Sequence, residues 1–294
     1  VTDRPGDAPQ SGPYVYDPVT CQHVAESRRL ILAAAESAHP GQAIVLGGGR
    51  CAEIPLAELL ERFQRVTLND LDRDAVEEGL KLANLSDAAR GKLQLHLADL
   101  TGSNKAIVAS LAEAIREASD CEGAIEAMSA TADRVSLAGL PIDGKYDLIV
   151  ASCVLSQLHT AVLNGAYEAF VARFPDQQDT LRNSPRWMKA MYGLARRIER
   201  KFIDDLPARL TPGGYLYLSD STQVCFVELT PDGRWRTEGK HRLLRTPNLG
   251  DYFDSRFAPI ARDRWYWVAP APNQSGETGR LYDVQAFVLR TWRI

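Results

Sequence analysis

Little in this sequence marks it for a special class. It has five cysteines, five histidines and three methionines in 294 residues. Cys21, Cys51, Cys121, Cys153 and Cys225 are odd in number, widely spaced and form no CxxC pair. That spacing excludes a disulfide framework and a structural zinc finger, and is the pattern of reduced thiols. No metal site is expected. No apolar run reaches the roughly 18 residues of a membrane-spanning helix. No basic stretch followed by an apolar one opens the chain, so we expect no signal peptide, no membrane partner and a cytoplasmic location. Positive charge is also in short supply. The 34 Lys and Arg against 38 Asp and Glu leave a net charge of −4, which argues against general nucleic-acid binding. What the chain does have is 45% apolar side chains, enough to bury the core of an enzyme.

Apolar periodicity divides the chain. The first dozen residues, rich in Pro, Gly and Asp, read as loose. An N-terminal helical segment falls within 14–39, its helix running from about Asp17 to Ala38 with Val24, Leu30, Ile31 and Ala34 on one side. His39-Pro40-Gly41 stops it. Ala43 to Leu46 is a buried strand entering a glycine turn. Ile54 to Phe63 is helical, Val66 to Leu68 is a strand ending in Asn69-Asp70, Asp72 to Ala83 is helical, and Leu93 to Leu97 is a strand ending in Ala98-Asp99. Tyr146 to Ala151 and Gly214 to Ser219 continue the strands. Trp265 to Val268 and Val284 to Leu289 form a terminal pair, joined by a hairpin loop over Ala269 to Gly279. The alternation predicts an α/β fold: a doubly wound, mostly parallel seven-stranded sheet with helices on both faces. Helical insertions at about 101–143 and 155–210 interrupt it, and residues 1–294 are read as one Rossmann-like domain.

In such a sheet, ligands bind at the carboxyl ends of the strands near the switch point. There the first strand delivers Gly47, Gly48 and Gly49, whose missing Cβ atoms let backbone approach a ligand. Gly47-x-Gly49-x-x-Ala52 fits a dinucleotide fingerprint with alanine in third place, and equally a nucleoside cofactor without a pyrophosphate. Asp70 closes the second strand, where a carboxylate accepts from both hydroxyls of a ribose. Asp72 competes, but its place suits the cap of the next helix. Asp99 closes the third strand, where a carboxylate accepts from an exocyclic amine such as adenine N6.

Ile44-Val45-Leu46-Gly47-Gly48-Gly49, Val66-Thr67-Leu68-Asn69-Asp70 and Leu97-Ala98-Asp99-Leu100 together resemble the class I S-adenosylmethionine-dependent methyltransferases. Lys145 to Ser152 and the Leu210-Thr211-Pro212-Gly213-Gly214 turn are similar to the same family, over roughly 20–100 and 145–294. Two departures stand out: Cys51 where the loop often has glycine, and Val45-Leu46 where an acid usually precedes it. The resemblance implies a final antiparallel strand pair and S-adenosyl-L-methionine as cofactor, with S-adenosyl-L-homocysteine as product. It places Gly47, Gly48 and Gly49 against the methionine and ribose, Asp70 on the ribose hydroxyls and Leu71 at the adenine or ribose edge. Asp99 and Leu100 would hold the adenine, and Ser152 would sit near the methionine end.

The acceptor side is sparser. No Asn-Pro-Pro-Tyr or Asp-Pro-Pro-Tyr follows the fourth strand, which in this family lowers amino methylation of bases or glutamine. His159, seven residues beyond Ser152, is the candidate general base; its other reading is a structural histidine. Tyr14 and Tyr16 are either a lid or a staple for the first helix. Cys51 and Cys153 fit packing better than covalent chemistry. Trp187, Met188 and Met191 are core or the lining of an apolar acceptor pocket. Arg196 to Lys201 reads as a solvated basic face or an anion contact. The leading reading is methyl transfer to a small-molecule O, N or S acceptor by in-line displacement. The alternatives are an NAD-dependent oxidoreductase and a non-catalytic methyltransferase-like partner subunit; acceptor and oligomeric state stay open.

Overall fold

The computed structural model describes residues 14–16, 20–231, 235–237, 242–243, 249–253, 257–270 and 278–292. The elements in order are β1 (Tyr14–Tyr16), α1 (Thr20–Ser37), β2 (Gln42–Leu46), α2 (Leu56–Arg62), β3 (Arg65–Asp70), α3 (Arg73–Leu82), α4 (Asp87–Arg90) and β4 (Leu93–Leu97). Then come α5 (Asn104–Glu117), α6 (Cys121–Arg134), β5 (Tyr146–Ser152), α7 (Leu155–Leu158), α8 (Thr160–Arg173), α9 (Gln178–Arg182) and α10 (Pro185–Asp205). The chain continues as β6 (Leu210–Leu229), β7 (Trp235–Thr237), β8 (Arg242–Leu243), β9 (Phe257–Pro270) and β10 (Thr278–Thr291).

Seven strands form the main sheet in the order β4-β3-β2-β5-β6-β10-β9. Neighbouring strands from β4 to β6 run parallel, and β10 is antiparallel to both β6 and β9. Counted by sheet position this is 3-2-1-4-5-7-6, with the final antiparallel strand pair expected; the doubly wound dinucleotide order ends 4-5-6. Side chains alternate across the sheet. Ile44, Leu46, Ile149, Ala151, Leu216 and Leu218 join α5, α6, α8 and α10 in one core. Ala43, Val45, Leu148, Val150, Tyr215 and Tyr217 join α1 and α2 in the other. Burial on both faces is why these strands read as continuous apolar runs. The two helical insertions are α5 with α6 and α7 to α10.

Three expectations change in detail. Tyr14–Tyr16, placed in the helical segment, is a strand paired with β7, as the β-forming triplet Tyr-Val-Tyr allows. The side chains of Tyr14 and Tyr16 lie outside the described residues, as do residues 1–12, His241 and the hairpin loop 271–277. The Leu-x-Pro-Gly-Gly turn is part of β6, as an irregularity in the pairing with β5 between Tyr146 and Leu148. Pro212 has no N–H for a ladder, and Gly213 adopts φ +79 there. β6 is also far longer than its apolar stretch. Beyond Ser219 it outruns β5 and pairs with β8, then with β7. This polar extension, with Asp220, Ser221 and Thr222 buried, lies past the carboxyl edge of the parallel strands.

Candidate active site

The glycine turn is held by the neighbouring strand. The N–H groups of Gly47 and Gly48 both donate to the Asn69 carbonyl, at 2.9 and 3.1 Å. Gly47 has φ +67, and a Cβ there would lie 2.6 Å from Val154 Cγ2. A Cβ on Gly48 would run into Leu68. Gly49 differs: at φ +49, nothing stands within 4 Å of where its Cβ would be. The turn thus has two glycines the protein's own packing requires and one that faces open space. Gly79 of α3 belongs to the same construction, since a Cβ there would come within 2.5 Å of the Arg50 carbonyl oxygen.

Asp70 lies beside that space. Its Oδ2 accepts from Gly49 N–H at 2.7 Å and its Oδ1 from Asp72 N–H at 2.8 Å. Each oxygen keeps a further acceptor position, so the backbone aims the carboxylate without saturating it. Asp72 caps α3, accepting from Ala75 N–H at 3.0 Å. Leu71 is 66% exposed, an apolar side chain presented at a strand end. Asn69, fully buried, ties β3 to β4 by donating to the carbonyls of His96 and Ala98.

Asp99 stands where expected but is occupied by its own turn. It accepts from the Thr101 N–H and hydroxyl, and from the backbone and side-chain N–H of Asn104, all at 2.9–3.2 Å. The turn it organises leads into α5, and Leu100 packs its side chain into the core beside it. Asn104 also donates to the Leu158 carbonyl at 3.0 Å, joining this turn to the segment that carries His159.

Ser152 ends β5, buried, with its hydroxyl 3.3 Å from that of Ser219 on β6. It also hydrogen-bonds the carboxylate of Glu53, a residue the sequence did not single out. Burial raises the pKa of Glu53 above the ordinary carboxylate value, opposed by the hydrogen bonds from its own N–H and from Ser152. Below lies Tyr217, whose phenol burial holds in the neutral form beside Ser219 and Ser27. Cys51, at φ +55, has its thiol pushed up to about 12, chiefly by burial and then by Glu53 and Asp70, which makes it packing rather than a nucleophile.

His159 lies between α7 and α8 on the wall of a cavity of about 1400 Å³. Leu163 and Tyr167 of α8, and Trp187, Met188 and Met191 of α10, give the cavity its apolar lining. Glu126, Asp133, Arg186, Lys189 and Arg196 add charge to it. The His159 Nδ1 is 3.7 Å from Oε1 of Glu199, which is 2% exposed. The other Glu199 oxygen accepts from the Tyr252 hydroxyl at 2.8 Å. Glu199 and Tyr252 were not anticipated. Glu199 had a signal: it is a charged residue among the apolar positions Leu194, Ala195, Ile198, Phe202 and Ile203 of α10.

Three cations of the basic run on α10 are held by the protein itself, while Arg196 lines the cavity. Arg197 donates to the carbonyls of Ala132, Asp133 and Val135 at the end of α6. Arg200 pairs with Asp204 and donates to the Tyr252 carbonyl, and Lys201 pairs with Asp205. Among the described residues, no group of three or more His, Cys, Asp or Glu could hold a metal ion, and no helix is long and apolar enough to cross a membrane.

No family model matches this chain, and no curated protein matches it in sequence. Solved structures do resemble it in fold. The N-methyltransferase NodS from Bradyrhizobium japonicum WM9 is 14% identical with a TM-score of 0.45, covering 93% of this chain and 99% of its own. The glycopeptide N-methyltransferase MtfA, solved with S-adenosyl-L-methionine, is 13% identical with a TM-score of 0.40, over 88% and 86% of the two chains. StiE O-MT residues 961–1257 are 12% identical with a TM-score of 0.42, over 92% and 74%.

Proposed function

We propose that the protein is an S-adenosylmethionine-dependent methyltransferase acting on a small molecule. The observation that carries this reading is the open space at Gly49 beside the backbone-aimed carboxylate of Asp70, at the carboxyl ends of adjacent parallel strands. These residues fit a nucleoside cofactor. Gly49 leaves room for close approach, Asp70 has acceptor positions for ribose hydroxyls, and Leu71 offers apolar surface to a base. Gly47, Gly48 and Ser152 build the floor, while Asp99 and Leu100 shape the turn on the adenine side. When bound, the cofactor supplies a methyl group on a sulfonium, open to in-line displacement.

The rest falls to this chain. The cavity lined by Trp187, Met188 and Met191 would take the acceptor and exclude water from it. His159 would accept the proton of the acceptor's nucleophile. Glu199, anchored by Tyr252, would face the imidazole on its Nδ1 side and orient the ring. The mixed charge around the cavity and the internal use of Arg197 and Arg200 favour a small acceptor over a polyanion. Against an NAD enzyme stands β10, inserted antiparallel within the sheet.

Calorimetric titration with S-adenosylmethionine, S-adenosylhomocysteine and NAD tests the reading. Micromolar binding of both sulfur nucleosides and none of NAD is expected, with His159→Ala binding them as the wild type does. Binding of NAD alone, or of none, would refute it.

A further inference from the structure

The position before the glycine turn that would hold an acid is taken by Val45 and Leu46, yet the strand ends do not lack a second carboxylate. It arrives from the other side of the loop. Cys51 takes a left-handed conformation, its N–H donating to the Gly48 carbonyl at 2.8 Å, and Ile54 N–H returns to the Cys51 carbonyl at 3.2 Å. These two tight turns double the chain back, so that Glu53 reaches Ser152 at the end of β5. Cys51 lies within the electrostatic reach of both Glu53 and Asp70, which therefore flank the loop.

The surroundings of Glu53 are unusual for a carboxylate. Its donors are a hydroxyl and its own N–H, and its described neighbours include Ser152, Tyr217 and Cys51, none of them cationic. Among the described residues no cation forms an ion pair with it, and Arg50, three residues earlier, turns away to Glu78 at 2.8 Å. Burial is the main influence on its ionisation and opposes the charged form. A desolvated carboxylate with no cation paired to it among the described residues, beside a glycine turn with open space, is suited to a ligand's cation.

We propose that Glu53 is the residue that binds the α-ammonium group of the cofactor's methionine portion, fixed in place by the Ser152 hydroxyl. The assignment rests on the reading of S-adenosylmethionine as cofactor. Glu53 touches the part of the ligand remote from adenine, so it selects nucleosides that carry an amino-acid tail.

Calorimetry with S-adenosylmethionine, S-adenosylhomocysteine and 5′-methylthioadenosine, which lacks the amino-acid tail, tests it on the wild type and Glu53→Gln. The variant should bind the first two about tenfold to a hundredfold more weakly, the range for a charge-assisted hydrogen bond, and methylthioadenosine within about twofold of wild type. Ser152→Ala should show the same selectivity with a smaller loss. An unchanged thermal midpoint certifies the fold, and Ser152→Ala carries the test if Glu53→Gln does not fold. Equal loss on all three ligands, or none on any, would overturn the assignment. Loss for S-adenosylmethionine alone would move Glu53 to the sulfonium and overturn it too. If the wild type binds none of the three, the cofactor reading falls, and the Glu53 assignment with it.

Discussion

Three consecutive glycines answer three different demands. Gly47 needs both a left-handed backbone and the absence of a side chain against Val154, Gly48 only the second, and Gly49 only the first. Gly47→Ala therefore combines left-handed strain of about 1–2 kcal/mol with overpacking of about 1–3 kcal/mol. Gly49→Ala incurs only the strain. In thermal unfolding, Gly47→Ala should lose clearly more stability than Gly49→Ala. In calorimetry, Gly49→Ala should lose clearly more affinity for S-adenosylhomocysteine than stability alone explains. The reverse ranking would mean that Gly49 serves only the turn. At this scale the sequence was readable wherever the chemistry is local. The glycine turn, Asp70 at a strand end and Asp72 as a helix cap each depend on neighbours a few residues away. Glu53 was not readable, because its place depends on a cysteine adopting a conformation that favours glycine. Asp99 was read correctly as a strand-end acid, but its immediate neighbours Thr101 and Asn104 claim its oxygens.

Two helices, α1 and α6, are closed by arginines from other helices. Arg62 of α2 donates to the Ala35, Glu36 and Ala38 carbonyls at the end of α1, and Arg197 of α10 does the same for α6. Each supplies a cation where the helix dipole is negative and partners for carbonyls that have none within the helix. Arg197→Ala should lower unfolding free energy by about 1.5–3 kcal/mol in a denaturant titration, and Arg197→Lys by less, since one ammonium cannot span three carbonyls. A change within error would make the contact a surface decoration. From sequence, Arg197 was one of a run of charges on a helix, and nothing local distinguishes a solvated arginine from one that caps a neighbour. Strand ends were misjudged for a related reason. Apolar patterning finds the buried half of β6, whereas its polar half is held by ladders to the short following strands β7 and β8 and to β10, which is distant in sequence.

At the scale of the whole molecule, α1 is fastened to β9 across more than two hundred residues by His23, beside an ion pair between Arg29 and Asp263. His23 Nδ1 accepts from the Trp265 indole N–H at 3.0 Å, and its ring stacks on Trp267 with centroids 4.3 Å apart. Burial lowers its pKa from 6.5 to about 4. The unfolded chain therefore takes up a proton as pH falls below 6.5, while the folded chain refuses it until about 4. Stability should fall across that window by up to about 1.4 kcal/mol per pH unit from this residue. His23→Gln, which keeps an acceptor for the indole, should flatten the pH dependence of unfolding between those values. An equal slope in both proteins would show that other groups set it.

The insertion of β10 between β6 and β9 also sets an order in time. Both flanking strands are translated before the strand that joins them. Until residues 278–291 leave the ribosome, the nascent chain has two unmatched strand edges, on β6 and β9, in the same half of the sheet. Such edges invite pairing with other chains. A stalled or shortened translation product would thus be a ready client for chaperones, and the final step of assembly fills the gap inside the edge strand rather than adding to the rim.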